Sequence, residues 1–252
     1  MIELKEQWVK AIDSRDSRRT YIDKALEEND MTALLELIGK INKETNLNIQ
    51  LVKDGKEAIS GFKASYGMIT GVSSFLALVA DKNIKNYKEK LGYYGEMLVL
   101  EATSLGLGTC WIGGTYKKEE CKKHININDD EELVCIIAVG YVDEELSIKE
   151  KLVERLNKKD IKLEDIIIAN GNAIASWMKE GAVFAMKSPS ALNKKPIAFK
   201  IEENKIKAVI TKSNHGYEEI DLGISMLHFA LGAYTKEYKG DWKYEEDQYI
   251  FS

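Results

Sequence analysis

Two segments of this chain carry apolar side chains around almost the whole circumference of a helix. They are YYGEMLVLEATSLGLG at 93–108 and IDLGISMLHFALGAYTKEY at 220–238. A helix that is apolar all round has no face to give to water, so other elements must enclose it. The first stops at Gly106 and Gly108, and Asp221 is placed to cap the second. Residues 92–102 and 220–230 also align, with Gly95 against Gly223, Leu98 against Met226 and Ala102 against Ala230. A small residue two turns beyond a glycine leaves one face open to close helix–helix contact. Two unrelated core helices or an internal duplication would both produce this pattern.

The strands supply the enclosure. SFLALVA and EELVCIIAVGYV read as buried strands, NIQLV as a short one, and TCWIGGTY as a loop or short strand. PIAFKIEENKIKAVIT alternates on both sides of a turn, as a hairpin does. Further helices are expected at 2–12, 31–45 (capped by Asp30), 147–159 and within 161–188, and a glycine-marked loop at 61–74. This order predicts an α+β protein with three α/β/α layers. No crossover pattern supports a doubly wound nucleotide fold.

With 252 residues, 44% hydrophobic and 31% charged, the chain is long enough for one large domain or two small ones. A net charge of −5 argues against a broad surface for nucleic acid. The longest apolar run, near GVSSFLALVA, is too short to span a bilayer. Cys110, Cys121 and Cys135 have no paired spacing and no secretory signal precedes them, so a cytoplasmic setting and buried thiols are expected. His124, His215 and His228 are scattered without metal-ligand spacing. No nucleophile elbow, zinc-protease or P-loop motif is present, and no catalytic side chain is assigned. Glu96 and Glu101 read as helix-surface or capping groups.

Three stretches can carry chemistry. The chain holds only four arginines, and three of them, Arg15, Arg18 and Arg19, fall within SRDSRRTYID. A guanidinium binds phosphate or carboxylate at two points, which ammonium does not. In an extended segment Arg15, Ser17 and Arg19 share a face. That makes a cradle for one phosphate or anionic ring; a solvated basic loop is the competing reading. Both prolines, Pro189 and Pro196, stiffen KSPSALNKKPIAF, where Ser190, Asn193, Lys194 and Lys195 offer donors. A turn before a hairpin would look the same. GLGTCWIGGT has glycines at 106, 108, 113 and 114. It follows a helix and is not a dinucleotide fingerprint, but its backbone could approach a flat ligand.

Together these stretches resemble the FMN-dependent nitroreductase superfamily. Arg15, Ser17, Arg19 and Tyr21 match its R-x-S-x-[RK]-x-[FY]. Pro189, Ser190, Asn193, Pro196 and Phe199 match its P-S-x-x-N-x-Q-P-W-x-F. Ala102, Gly106, Leu107, Gly108, Thr109, Trp111 and Gly113 match its A-x-x-x-G-L-G-[ST]-x-W-x-G. Lys195 and Ile197 replace the family glutamine and tryptophan. The proline motif stands some 170 residues after the arginine motif, whereas ordinary members separate the two by a few dozen. The chain therefore resembles the branch in which two subunits are fused. That implies a nitroreductase-like fold of two pseudo-symmetric halves: residues 1–160 with the phosphate and N5 loops, and a shortened partner at 161–252.

The resemblance further implies one FMN per chain. Arg15 and Ser17, with the backbone of Asp16, would hold its phosphate, and Lys158 or Lys159 would add a cation. Arg19 would lie under the pyrimidine edge and stabilise negative charge there. The backbone of Gly113 and Gly114 would face N5. Pro189, Ser190, Ala191 and Asn193 would close the pyrimidine side. The implied activity is ping-pong transfer from NAD(P)H to a small acceptor such as a nitroaromatic, quinone, enone or free flavin. A flavin carrier, store or sensor is the alternative, and a scaffold that has lost flavin is a third. No nucleic acid, membrane or metal is expected as partner. The chain is expected to be a monomer with an internal pseudo-dimer, or a weak homodimer.

Overall fold

A computed structural model describes residues 2–59, 69–157 and 161–252. Its elements run α1 (Glu6–Ser14), α2 (Glu28–Thr45), β1 (Gln50–Val52), α3 (Lys56–Ile59), β2 (Phe75–Asp81), α4 (Tyr87–Ser104), β3 (Gly108–Ile112), α5 (Lys118–Lys122) and β4 (Glu131–Gly140). The second part runs α6 (Ile148–Asn157), α7 (Leu163–Ile166), β5 (Ile167–Ile168), α8 (Ser176–Lys187), β6 (Ile197–Glu202), β7 (Lys205–Ile210), α9 (Glu218–Tyr234), β8 (Trp242–Glu245) and β9 (Gln248–Phe251).

The strands form two sheets. The first has the order β1-β2-β4-β3 and is antiparallel throughout. Its strands are apolar without alternation because both faces are covered. Leu76, Leu78, Ile137 and Val139 face α4, while Phe75, Ala77, Ile136 and Ala138 pack with residues of α3 and α5 on the other face. Between β2 and β4 the register passes from Leu78↔Cys135 to Val79↔Leu133, leaving Val134 unopposed as a bulge. The second sheet, β5-β6-β7-β9-β8, buries one face against α8 and α9 through Phe199, Ile201, Ile206 and Phe251. Lys200 and Glu202 of β6 are exposed. Three α/β/α layers thus describe the surroundings of the first sheet, and the second adds a one-sided sheet beyond α9. The whole is a mixed α+β fold.

α4 and α9 lie against one another between the sheets, and glycine makes that possible. A Cβ on Gly92 would stand 2.2 Å from the Ile220 carbonyl oxygen, and one on Gly223 would stand 1.9 Å from that of Glu89. The face of α4 marked by Gly95, expected to permit close helix–helix contact, packs on the first sheet instead. A Cβ on Gly95 would meet the Trp111 ring at 2.6 Å and Leu78 at 3.0 Å, so this glycine admits side chains of the first sheet. The α4 glycine at the helix crossing is Gly92, one turn earlier.

Several boundaries also differ. Glu27 stands at the N-cap of α2, and Asp30 lies in the first turn, accepting from the Tyr141 hydroxyl at 2.7 Å. Tyr217 precedes α9, and Asp221 lies one turn inside it. The hairpin β8–β9 has no glycine or asparagine at its turn. Glu246 and Asp247 nevertheless take φ of 47° and 58°, the left-handed pair that a two-residue turn requires. Trp242 and Phe251 reward this by packing with Phe199 and Phe229. The three cysteines are buried and free. Among the described residues no helix is long and apolar enough to cross a membrane.

Gly223→Ala drives a methyl group into backbone, and the expected loss is at least about 1–3 kcal/mol in urea unfolding. Gly39→Ala, on the exposed side of α2 with nothing within 4 Å of the new Cβ, should instead stabilise by roughly 0.5–1 kcal/mol.

Candidate functional site

The chain leaves α1 at Arg15 (φ −74°, ψ 116°) in an extended conformation. Ser17 then bridges Thr109 of β3 in parallel, and Thr20 bridges Thr70. Arg15, Ser17 and Arg19 are half-buried, and Asp16 is exposed. Arg15 Nε is buried with no hydrogen-bond partner. Arg19 Nη1 donates to the Ser17 carbonyl at 3.0 Å.

Arg18 does different work. It is 8% exposed, pairs with Glu150 at 3.3 Å and donates to the Glu145 carbonyl at 3.1 Å. Glu150 also accepts from the backbone N–H groups of Arg19, Thr20 and Ser147. Burial acts to raise the Glu150 pKa, but these hydrogen bonds outweigh it and hold the carboxyl at about 2. Arg18 and Glu150 therefore clamp the extended segment and leave Arg15 and Arg19 to face elsewhere.

The proline loop reaches the same region. Lys187, at the end of α8, donates to Asp13 Oδ1 at 2.5 Å. This joins the residue two before Arg15 to the residue two before Pro189. Ser190 Oγ accepts from the Lys195 N–H at 3.0 Å, and Lys195 Nζ donates to the Ser188 carbonyl. Pro189, Ser190, Ala191 and Asn193 are all half-buried. Leu192, Asn193 and Lys195 have positive φ values of 51°, 50° and 48°.

A buried network lies between the two segments. Glu96 of α4 and His228 of α9 are both 0% exposed. Glu96 Oε1 is 2.9 Å from His228 Nε2, and Oε2 accepts from Trp111 Nε1 at 2.8 Å. Burial lowers the His228 pKa although Glu96 opposes it; Arg15 and Lys195 lower it further. His228 Nδ1 is buried without a partner. Neither Glu96 nor Glu101 is the surface group expected. Glu101 is 5% exposed and accepts from Lys5, Gln7 and Trp8. The partners of Glu101 lie more than 90 residues away, and Glu96 meets His228 of another helix and Trp111 of β3, none of which local helix pattern reveals.

Gly113 and Gly114 follow β3 and border a cavity of about 320 Å³ that Tyr116, Val134 and Tyr217 also line. A flat ring does approach these glycines, and it is that of Tyr217. A Cβ on Gly113 would lie 2.6 Å from Tyr217 Cζ, and one on Gly114 would lie 2.9 Å from its hydroxyl. Sequence reasoning did not single out Tyr217; the helix start beside it was the only signal. Lys158 and Lys159 lie outside the described residues.

Comparison with known proteins follows the same lines. A family model described as "Putative TM nitroreductase" matches residues 7–233. The fold is similar to that of a putative nitroreductase from Thermotoga maritima. The two are 18% identical with a TM-score of 0.61, over 100% of this chain and 95% of that one. An FMN-dependent nitroreductase from Clostridium difficile is 21% identical, over 54% of this chain and 87% of its own, with a TM-score of 0.43. A nitroreductase family protein from Clostridium novyi is 19% identical, over 54% and 85%, with a TM-score of 0.44. No curated protein matches by sequence.

Two outcomes test this geometry. Glu150 contributes stability above its ordinary pKa of 4.5 that is lost as pH falls through about 2. Glu150→Ala should cost roughly 3–5 kcal/mol at pH 7, and Glu150→Gln should abolish that acid step in melts. Gly113→Ala should destabilise by about 1–3 kcal/mol alone and by clearly less in a Tyr217→Ala background.

Proposed function

The chain belongs to the family described as "Putative TM nitroreductase", and on that premise we propose that it is an FMN-dependent oxidoreductase using NAD(P)H. The single observation that carries this reading is the meeting of the arginine segment and the proline loop through Lys187 and Asp13. That contact brings together the flanks of two motif segments some 170 residues apart in sequence.

The residues present fit the cofactor. Arg15 Nε is a buried donor awaiting an acceptor, which a phosphate oxygen provides. Ser17 adds a hydroxyl and Asp16 a backbone N–H. Arg19 would stand at the pyrimidine edge, where a cation favours negative charge. Gly113 and Gly114 admit a flat ring against backbone, and their N–H groups suit N5. Pro189, Ser190, Ala191 and Asn193 would hold the opposite edge. Bound FMN supplies hydride transfer between a nicotinamide and a small organic acceptor. The protein binds, orients and excludes water, and no side chain of this set need act as acid or base. Nitroaromatics and quinones are the acceptor classes that this reading favours.

The domain reading assigns residues 1–160 and 161–252 to two pseudo-symmetric halves, with α4 and α9 as counterparts. The crossing supports it: Gly92 and Ile220, aligned with one another by the sequence comparison, are in direct contact, as residues on a local two-fold axis would be. A monomer containing this internal pseudo-dimer, or a weak homodimer of it, working in the cytoplasm, completes the reading. A flavin-binding protein with little turnover is the second reading. The Tyr217 ring against Gly113 and Gly114 favours it, because a side chain there narrows the space left for a second ring.

The purified protein should be yellow and release FMN on denaturation, and Arg15→Ala with Arg19→Ala should abolish retention. Rapid anaerobic bleaching by NADH or NADPH supports the enzyme. A yellow protein that does not bleach supports the binding protein, and a colourless one that takes up no added FMN contradicts both.

A further inference from the structure

We propose that Asp221 is a positioning residue that latches the 188–195 loop in its ligand-holding shape, an inference that rests on the flavin reading above. Asp221 is 2% exposed and lies one turn inside α9. Its Oδ1 accepts from the Ala191 N–H at 2.9 Å. Its Oδ2 accepts from Asn214 Nδ2 at 2.6 Å, and the same Asn214 amide donates to the Ala191 carbonyl at 2.9 Å. Both backbone groups of Ala191 are therefore tied to one buried Asn–Asp pair. Asn214 is itself 0% exposed and fixed by its own N–H to Glu218 at 2.8 Å.

The loop needs such a tie. Three of its residues, Leu192, Asn193 and Lys195, have positive φ, a conformation that asparagine tolerates but that costs of order 1 kcal/mol or more at Leu192 and at Lys195. A segment strained in this way keeps its shape only where surrounding contacts over-determine it. Ala191 immediately precedes the strained residues, so its two anchors fix where the strain begins.

The latch carries a charge that can be removed. Burial raises the Asp221 pKa to about 6, opposed by the hydrogen bonds from Ala191 and Asn214 and by the charge of Lys195. Glu218 on the same helix raises it further, and the Cys135 thiol of β4 also lies within its field. A protonated carboxyl has one acceptor position fewer. Its O–H can be received by Asn214 Oδ1, which is buried without a partner, but only if the amide turns over. Turning takes Nδ2 away from the Ala191 carbonyl. Ala191 then keeps one anchor of two. The loop is held firmly above pH 6 and loosens below it.

The test uses FMN affinity of the full chain, read by quenching of flavin fluorescence from pH 5 to 8, in the native protein and Asp221→Asn. The second phosphate ionisation of FMN, near pH 6, weighs equally on both proteins, so their difference reports on Asp221. At pH 8 the native protein should bind about tenfold more tightly, and the gap should close by pH 5. Equal affinity at pH 8, or a gap that pH does not change, overturns the proposal. Hydrogen exchange of the Ala191 amide in ligand-free protein, corrected for intrinsic rate, separates the two inferences. If protection falls from pH 7 to 5 only in the native protein, while FMN binds at no pH, the latch stands and the flavin reading fails. If FMN binds and Ala191 protection ignores pH, the latch fails.

Discussion

The contact on which the rest depends is the backbone-to-backbone crossing of α4 and α9. Two glycines, Gly92 and Gly223, bring the helices so close that neither position has room for a methyl group. Because each helix is buried all round, each must have a sheet on its outer side, and this accounts for the two sheets. The crossing also buries Glu96 against His228, a polar pair fully removed from water. Such a pair gains little in stability over an apolar contact, but it does penalise any other register of the two helices.

The candidate site hangs from the ends of these helices. α4 leads through Gly106 into β3, which carries Thr109 against Ser17 and ends just before Gly113. α9 begins just after Tyr217 and holds Ala191 through Asp221. Arginine and proline segments are thus placed by two helices that are fixed to one another, which lets residues so distant in sequence keep a common geometry. The three clustered arginines divide accordingly. Arg18 is spent on the clamp with Glu150, and that clamp holds the backbone on which Arg15 and Arg19 are carried.

Much of this was legible in the sequence, and the parts that were not share a cause. The two buried helices, the strands of the first sheet and the hairpin of β6 and β7 announce themselves by period and run length. The extended arginine segment and the stiff proline loop were read from residue type. What escaped were long-range pairings between single residues: Glu96 with His228, Glu101 with Trp8, Tyr217 over Gly113, Asp221 under Ala191. None has a local pattern. The β8–β9 hairpin escaped because tertiary packing of Trp242 and Phe251 overrides a turn with no glycine. Gly95 meets the first sheet and not a helix, because a seven-residue spacing identifies a face and not what covers it.

The central claim is that two distant segments of one polypeptide form a single FMN site without a second chain. Sedimentation velocity of the flavin-loaded protein, monitored at protein and flavin wavelengths together, measures this directly. The account requires the flavin signal to travel with the 28.5 kDa monomer at one FMN per chain. Flavin that sediments only with a dimer, or at half an equivalent per chain, would contradict it.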